Sequence, residues 1–486
     1  MANQTLYDII VVGAGPGGSS AATFLAGQGL SVLLLDKAQF PRDKVCGDGL
    51  TPQTIYWLDV LGCVDEVLSE TASCITAADL YVNGEHVLTG KIPQDTSYPG
   101  FFTLLERRRL DHILVRHAVS RGAEFKPKHH VRKLDWLSDC ISVEAESDSG
   151  TVSFRAKLLL GADGGNSVVS RLLGNMPRDG ATAVSLRRYY QGVKIDGSQF
   201  KVYFDEKFFP GYGWVFVDDT GKANIGLGYA FDKNFPEKRN LNKTLAAFIK
   251  SDLQAMLKDA TPIGRPGGWW ACFSRAKTIV ADRVMLIGDA ANLADPMNGG
   301  GIHKAMESAY SASQVAAQAL SSGDFSRQTL SLYEKLWHDQ SELDWRTGEL
   351  FLSIAKNPNL RELYLLLLKA GGRLCEGDGR FQEFCVSFFT EVTPRGSSLS
   401  PLTLLDSVPV DPRVWLSLLR TSRDSRLQAP LAPAVSAARS AMRMSSRVMT
   451  SPMENAYWGV EVLEKLLGFA ASYASKQLTT MVSSTR

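Results

Sequence analysis

Gly13, Gly15 and Gly18 stand in the stretch IIVVGAGPGGSSAATFLAGQGLSVLLLDK, directly after the apolar run from Ile9 to Val12. At that spacing the first glycine permits a tight turn. The second lets the backbone approach a diphosphate, and the third lets a helix pack closely on the strand. The helix, read as Ser19 to Gly27, offers its N-terminal N–H groups to the anion. Asp36 closes a second buried run, Ser31 to Leu35, about 20 residues on, where a carboxylate can accept from ribose hydroxyls. Strand, glycine turn, helix, strand and acid in this order make a dinucleotide site.

Two more acids follow apolar runs. LLLGADGGNSVVSRLLG puts Asp163 just past a strand, and RVMLIGDAANLADPMNGGGIHKAMES puts Gly288 and Asp289 past another. A carboxylate there can hold a ribose or ribityl hydroxyl. Gly299, Gly300 and Gly301 then open a helix ahead of Ile302, and such a start can hold the electron-rich edge of a flavin ring by its dipole. A cysteine adds a further chemical group. In PRDKVCGDGL, Lys44 stands two residues before Cys46 and would favour its thiolate. Gly47 and Gly49 would let that loop move.

These residues need a body to hold them. The chain has 486 residues, 44% apolar and 21% charged, enough for two or three cores. A net charge of +2 gives no general pull toward nucleic acid. Seven cysteines without a CxxC and seven histidines without an HxxxH point to no disulfide framework and no metal site. A reducing, cytoplasmic setting fits. No basic region precedes the first apolar run, which therefore reads as strand-turn-helix rather than a signal peptide. No run reaches the roughly 18 apolar residues of a membrane span.

With three separated motifs in this order, the chain resembles the flavoprotein family of aromatic hydroxylases, flavin-dependent halogenases and geranylgeranyl reductases, over about residues 5 to 330. The resemblance implies FAD, with Gly13, Gly15, Gly18 and Asp36 at its ADP half. It implies Asp163 near the cleft between FAD and a pyridine nucleotide, and Asp289 at the ribityl or pyrophosphate. Lys44, Gly288, Gly300, Gly301 and Ile302 join the cofactor set. LERRRLDHILVRHAVSRGAEF would be the helix whose Arg107 faces the pyrophosphate; a solvated charge among Arg107, Arg108 and Arg109 is the other reading.

PGYGWVFVDDTGKANIGLGYA looks like the geranylgeranyl reductase branch, as does FPRDKVCGDGLTP. Tyr212, Trp214 and Phe216 alternate, so their rings share one face of a strand and could line a polyprenyl slot. Val217 and Gly300 replace a proline and a glutamate of that branch. The WxWxIP of halogenases is missing, and Asn292 stands where hydroxylases complete GDAAH with histidine. The resemblance implies Cys46, Tyr212 and Trp214 as catalytic residues. It implies hydride transfer from reduced flavin to C=C bonds of an isoprenoid, fed by NADPH or reduced ferredoxin. A monooxygenase or, further off, a halogenase acting on a natural-product ring is the alternative.

The expected fold is α/β. A discontinuous Rossmann-like FAD domain takes residues 1–74, 101–184 and 276–330. An antiparallel-sheet lid takes 75–100 and 185–275, and a helical region takes 331–486. KTLAAFIKSDLQAMLKDA reads as an amphipathic helix of the lid, with Trp269 and Trp270 as lid core. In the tail, Arg439, Arg443 and Arg447 share a helical face, and Trp458, Val462, Leu466, Phe469 and Tyr473 form a stripe. Both suit either packing on the body or a peripheral membrane contact through the C-terminal helices.

Overall fold

The computed structural model describes residues 5–71, 73–175, 182–232, 239–395, 403, 407, 409 and 452–484. The chain divides into two compact units. The first comprises Met1–Ala72, Leu105–Ala183 and Trp270–Trp345, and the second Ser73–Leu104, Val184–Trp269 and Arg346–Arg486.

The first unit is built on a parallel sheet in the order Val280–Ala281, Val284–Leu286, Gly150–Gly161, Leu6–Val12, Val32–Leu35, Glu124–Lys126, the outermost pair being antiparallel. Its central strands are continuous apolar runs because both faces are covered. Ile9, Ile10, Leu33, Leu34, Leu158 and Leu159 are fully buried. The long strand Gly150–Gly161 also pairs antiparallel with Ile141–Ser147, which continues to His130–Trp136. Helix Pro16–Ala26 begins three residues earlier than its alanine run implies. Proline at the first helical position is already preset in φ and needs no N–H there. Tyr333 donates to the Leu286 carbonyl at 2.9 Å, and Trp337 is buried in the same core.

The second unit holds a seven-stranded sheet ordered Thr261–Cys272, Thr182–Gln191, Lys222–Phe231, Gly211–Val217, Phe200–Phe204, Ala77–Val82, Glu85–Lys91. Ala77–Val82 and Phe200–Phe204 pair in parallel, because the chain passes through the first unit between them. Val215 and Val217 face the core of Phe208, Ile225, Leu227 and Phe248, while Tyr212, Trp214 and Phe216 take the alternate positions. The amphipathic stretch is helical only over Leu241–Asp252; Asp252 then pairs with Lys207 at 3.1 Å.

Of the described tail residues, 331–345 group with the first unit and 346–395 and 452–484 with the second. Helices Arg361–Gly377 and Gly379–Thr390 lie against strand Glu85–Lys91 so closely that a Cβ on Gly372 would sit 2.0 Å from Val87. Leu365 and Cys375 bury with Val82, Val87 and Leu88. Helix Pro452–Ser484 is held by Trp458 Nε1 to the Ser353 carbonyl (2.7 Å) and by Lys465 to Glu349 (2.8 Å). Lys356 joins Glu461 and Asp232. Arg439, Arg443 and Arg447 lie outside the described residues.

Candidate functional site: a dinucleotide cradle

The glycine loop is fixed by contacts that no side chain could share. Gly13 has φ +101°, and a Cβ there would be 2.4 Å from the Ala162 carbonyl oxygen. A Cβ on Gly18 would be 1.7 Å from the Gly13 carbonyl oxygen. Gly15 instead faces guanidinium groups, with Arg42 and Arg107 Nη2 atoms 3.8 and 4.0 Å from where its Cβ would be. No side chain caps helix Pro16–Ala26 at its N-terminus, and no acid lies in its first turn. Asp36 accepts from the Ala14 and Ala38 N–H groups, 2.8 Å each, so it ties the loop to the end of its own strand.

Arg107 is buried rather than solvated. Its Nε and Nη2 donate to the two oxygens of Asp111 at 2.7 and 2.8 Å, and Arg42 Nη1 lies 2.9 Å from the same carboxylate. Arg42 also lies 4.0 Å from Asp36, so two carboxylates orient two guanidiniums beside Gly15, and their N–H groups suit a diphosphate. Asp111 raises the Arg107 pKa against the opposing effect of burial. Arg42 and Asp48, whose carboxylate accepts from the Arg107 N–H (3.3 Å), escaped the sequence reading. The only signal for Arg42 was its place in the PRDK run.

The second half converges on Asp289. It lies in the turn Gly288–Ala291, and its Oδ1 is buried without a hydrogen-bond partner. A Cβ on Gly301 would be 3.3 Å from that oxygen, which places it at the uncapped start of helix Ile302–Ser322. Gly288 has φ +57° and would clash at 2.8 Å with Ala305 of that helix. Ile302, at the helix start, is buried with Leu50, Trp57 and Met306. Asp295 and Asn298, also missed, shape the loop: Asp295 accepts from the Met297 N–H (2.7 Å) and Asn298 from the Gly300 N–H (2.7 Å). Burial pushes the Asp289 carboxyl up, opposed by Lys44 and Arg107.

Lys44 and Cys46 belong to this cluster. Burial, with Arg107 beside it, pulls the Lys44 ammonium down to about 8 despite Asp289 and Cys46. Burial raises the Cys46 thiol above its ordinary value, against the lowering effect of Arg107 and Lys44. Lys44 does favour the thiolate, as expected, but desolvation outweighs both cations and the thiol keeps its proton. Asp163 accepts from Ser167 Oγ (2.5 Å) and the Val168 N–H (2.6 Å), capping helix Val168–Leu172. Burial raises its pKa, and these bonds oppose the rise.

The other residues singled out form an aromatic row in the second unit. Tyr212 meets Trp214 at 6.0 Å, Trp214 meets Phe216 at 6.4 Å, and Phe216 stacks on Phe200 at 3.9 Å. Trp214 Nε1 donates to Asn224 Oδ1 at 2.9 Å across the hairpin. The ring lies over Gly226, where a Cβ would be 2.3 Å from it and 2.7 Å from the Leu186 carbonyl oxygen. Gly226→Ala should therefore lower unfolding stability by about 1–3 kcal/mol, read by urea titration. An unchanged midpoint would show that the ring moves freely.

The groups of the first unit fit a dinucleotide: a glycine turn, two open helix starts, a pair of oriented guanidiniums and an orphaned buried oxygen. The family model described as FAD binding domain matches residues 6–341. Digeranylgeranylglycerophospholipid reductase 2 of Methanopyrus kandleri is 31% identical over 344 residues, covering 69% of this chain and 83% of its own. The chain belongs to the FAD-binding-domain family, in its geranylgeranyl reductase branch. A solved relative, the geranylgeranyl bacteriochlorophyll reductase-like protein of Thermoplasma acidophilum, matches with a TM-score of 0.65 and 25% identity. It covers 85% of this chain and 98% of its own. The p-nitrophenol 4-monooxygenase of Pseudomonas putida shares the fold at a TM-score of 0.64, 20% identity, and coverage of 81% and 99%. This geranylgeranyl reductase-like protein is thus an FAD-dependent oxidoreductase. Gly13, Gly15, Gly18, Arg42, Arg107, Asp289 and Gly301 are the groups of this unit whose geometry fits a dinucleotide.

Proposed function

We propose that this enzyme saturates C=C bonds of a long isoprenoid chain carried on a lipid, quinone, chlorin or diphosphate. The observation that carries this reading is the 31% identity, across 83% of its length, to an enzyme named for reducing a digeranylgeranyl lipid. Bound reduced FAD supplies the hydride. An isolated alkene accepts hydride poorly, so the chain's own residues have to align the bond and provide a proton. Cys46, kept as a thiol by burial, is assigned the proton; Lys44 and Arg107 beside it fix the local charge. Tyr212, Trp214 and Phe216 are assigned the apolar slot, on a sheet read as the lid. Asp163 is assigned to the cofactor side as the cap that shapes the turn after its strand. NADPH, docking without a second glycine fingerprint, or reduced ferredoxin is the reductant.

The test is anaerobic. Dithionite-reduced enzyme is mixed with prenylated lipids, quinones or diphosphates, and the flavin spectrum and product masses are followed. Reoxidation without O₂, with products heavier by two hydrogens per bond, is expected. Products heavier by one oxygen, formed only in air, would overturn the reading in favour of a monooxygenase.

A further inference from the structure

Helix Pro452–Ser484 is apolar on its outward side as well as along its half-buried stripe of Trp458, Val462, Phe469 and Tyr473. Its charged residues Glu461 and Lys465 point to Lys356 and Glu349 of the same unit, and Asn455 accepts from Asn357 at 2.9 Å. The exposed face is apolar. Tyr457, Val460, Leu463 and Leu467 are 64, 66, 55 and 62% exposed. From residue 456 to 474, Glu464 is the one charged side chain among the exposed positions. An ordinary surface helix is polar on its outward side. Such a face calls for an apolar partner, and no helix among the described residues is long and apolar enough to cross a membrane. A helix lying flat in a lipid interface meets both conditions. Charge decides the kind of lipid: the sequence leading into the helix, 396–451, carries seven arginines, three aspartates and no lysine or glutamate, a net +4.

We propose that the Tyr457–Val460–Leu463–Leu467 face docks on an anionic bilayer surface and so brings the enzyme to a substrate dissolved in that bilayer. This rests on the isoprenoid-reductase reading above. The membrane is chosen over a second protein because the apolar residues cover about half the circumference of one helix, with a basic lead-in, and a bilayer asks for no shape match.

The experiment floats the full-length, flavin-loaded enzyme with vesicles of mixed phosphatidylcholine and phosphatidylglycerol, and with vesicles of phosphatidylcholine alone. The wild-type chain should float with the anionic vesicles and release in high salt. The double variant Val460→Glu, Leu467→Glu should lose about tenfold or more in binding, since two exposed anchors become charged. Both positions are exposed, so circular dichroism should be unchanged. Equal flotation of variant and wild type, equal flotation on neutral vesicles, or no flotation overturns the proposal. So does a wild-type dimer that the variant dissociates, which would make the face a contact between copies. Reduction of a detergent-dispersed isoprenoid is assayed in parallel and should be the same for both proteins. Flotation without any turnover would fail the reductase reading alone.

Discussion

Asp111→Leu is expected to give a protein that purifies without flavin and unfolds more easily by about 3–5 kcal/mol. Asp111 is fully buried and is the shared partner of Arg107, through two hydrogen bonds, and of Arg42, at 2.9 Å. Removing it takes the carboxylate from Arg107, which is itself 92% withdrawn from solvent, and leaves Arg42 only the more distant Asp36 at 4.0 Å. The cost is the penalty of uncompensated buried charge, which exceeds what the pair contributes when intact. The two cations also lose the anchor that holds them at 3.8 and 4.0 Å from the Gly15 position, so the diphosphate loses a preorganised partner. Asp111→Asn keeps the shape and one acceptor and should fall between. Arg107→Met should cost less stability, because Asp111 retains Arg42, yet weaken flavin binding about tenfold or more. Flavin absorbance after gel filtration and urea unfolding read the two effects separately. A yellow, fully stable Asp111→Leu protein would show that the triad holds neither the fold nor the cofactor.

The parts legible in the sequence are those ruled by local geometry. Gly13, Gly18 and Gly288 announce themselves because a Cβ would strike backbone or a neighbouring helix, and the apolar runs at Ile9–Val12 and Val32–Leu35 announce buried parallel strands. The alternation of Tyr212, Trp214 and Phe216 fixed their common face before any packing was known. What stayed hidden depends on distant residues. Arg42 and Asp111 meet across nearly 70 positions, and nothing near either one foretells the partner. The parallel pairing of Ala77–Val82 with Phe200–Phe204 follows from where the chain leaves and re-enters the second unit, not from local propensity. The effect of Lys44 on Cys46 is legible, but the net upward shift of the thiol is not, because neighbours can be counted in a sequence and desolvation cannot. The tail shows the same limit. The stripe of Trp458, Val462, Leu466, Phe469 and Tyr473 is legible, but the outward apolar face of Tyr457, Val460, Leu463 and Leu467 is a different side of the helix and follows from which residues Ser353, Lys356 and Glu349 engage.

Cys46→Ala is expected to lower the rate of alkene reduction about a hundredfold or more while leaving flavin binding and dithionite reduction unchanged, the range removed with a positioned proton donor. The argument is one of protonation. Burial raises the thiol pKa above its usual value even though Arg107 and Lys44 lie beside it, so at neutral pH the group carries a proton it can give. Rates in the wild-type enzyme should hold through neutral pH and fall as pH rises through that raised pKa. Cys46→Ser keeps the size and a hydrogen-bond donor but is a far weaker acid, so it should resemble the alanine variant and lack the alkaline fall. If serine instead retains full rate, only the size of the residue matters; if alanine does too, neither size nor proton matters there. Lys44 provides an independent check on the same loop. Its pKa is depressed to about 8 from 10.5, so between those values the unfolded chain binds more protons than the folded one. The flavin-free protein should therefore gain stability as pH rises through that window. Lys44→Met should abolish the gain and leave the alkaline fall in rate, since the first is a property of the ammonium and the second of the thiol. Loss of both in Lys44→Met would mean that the lysine, and not Cys46, sets the alkaline limit.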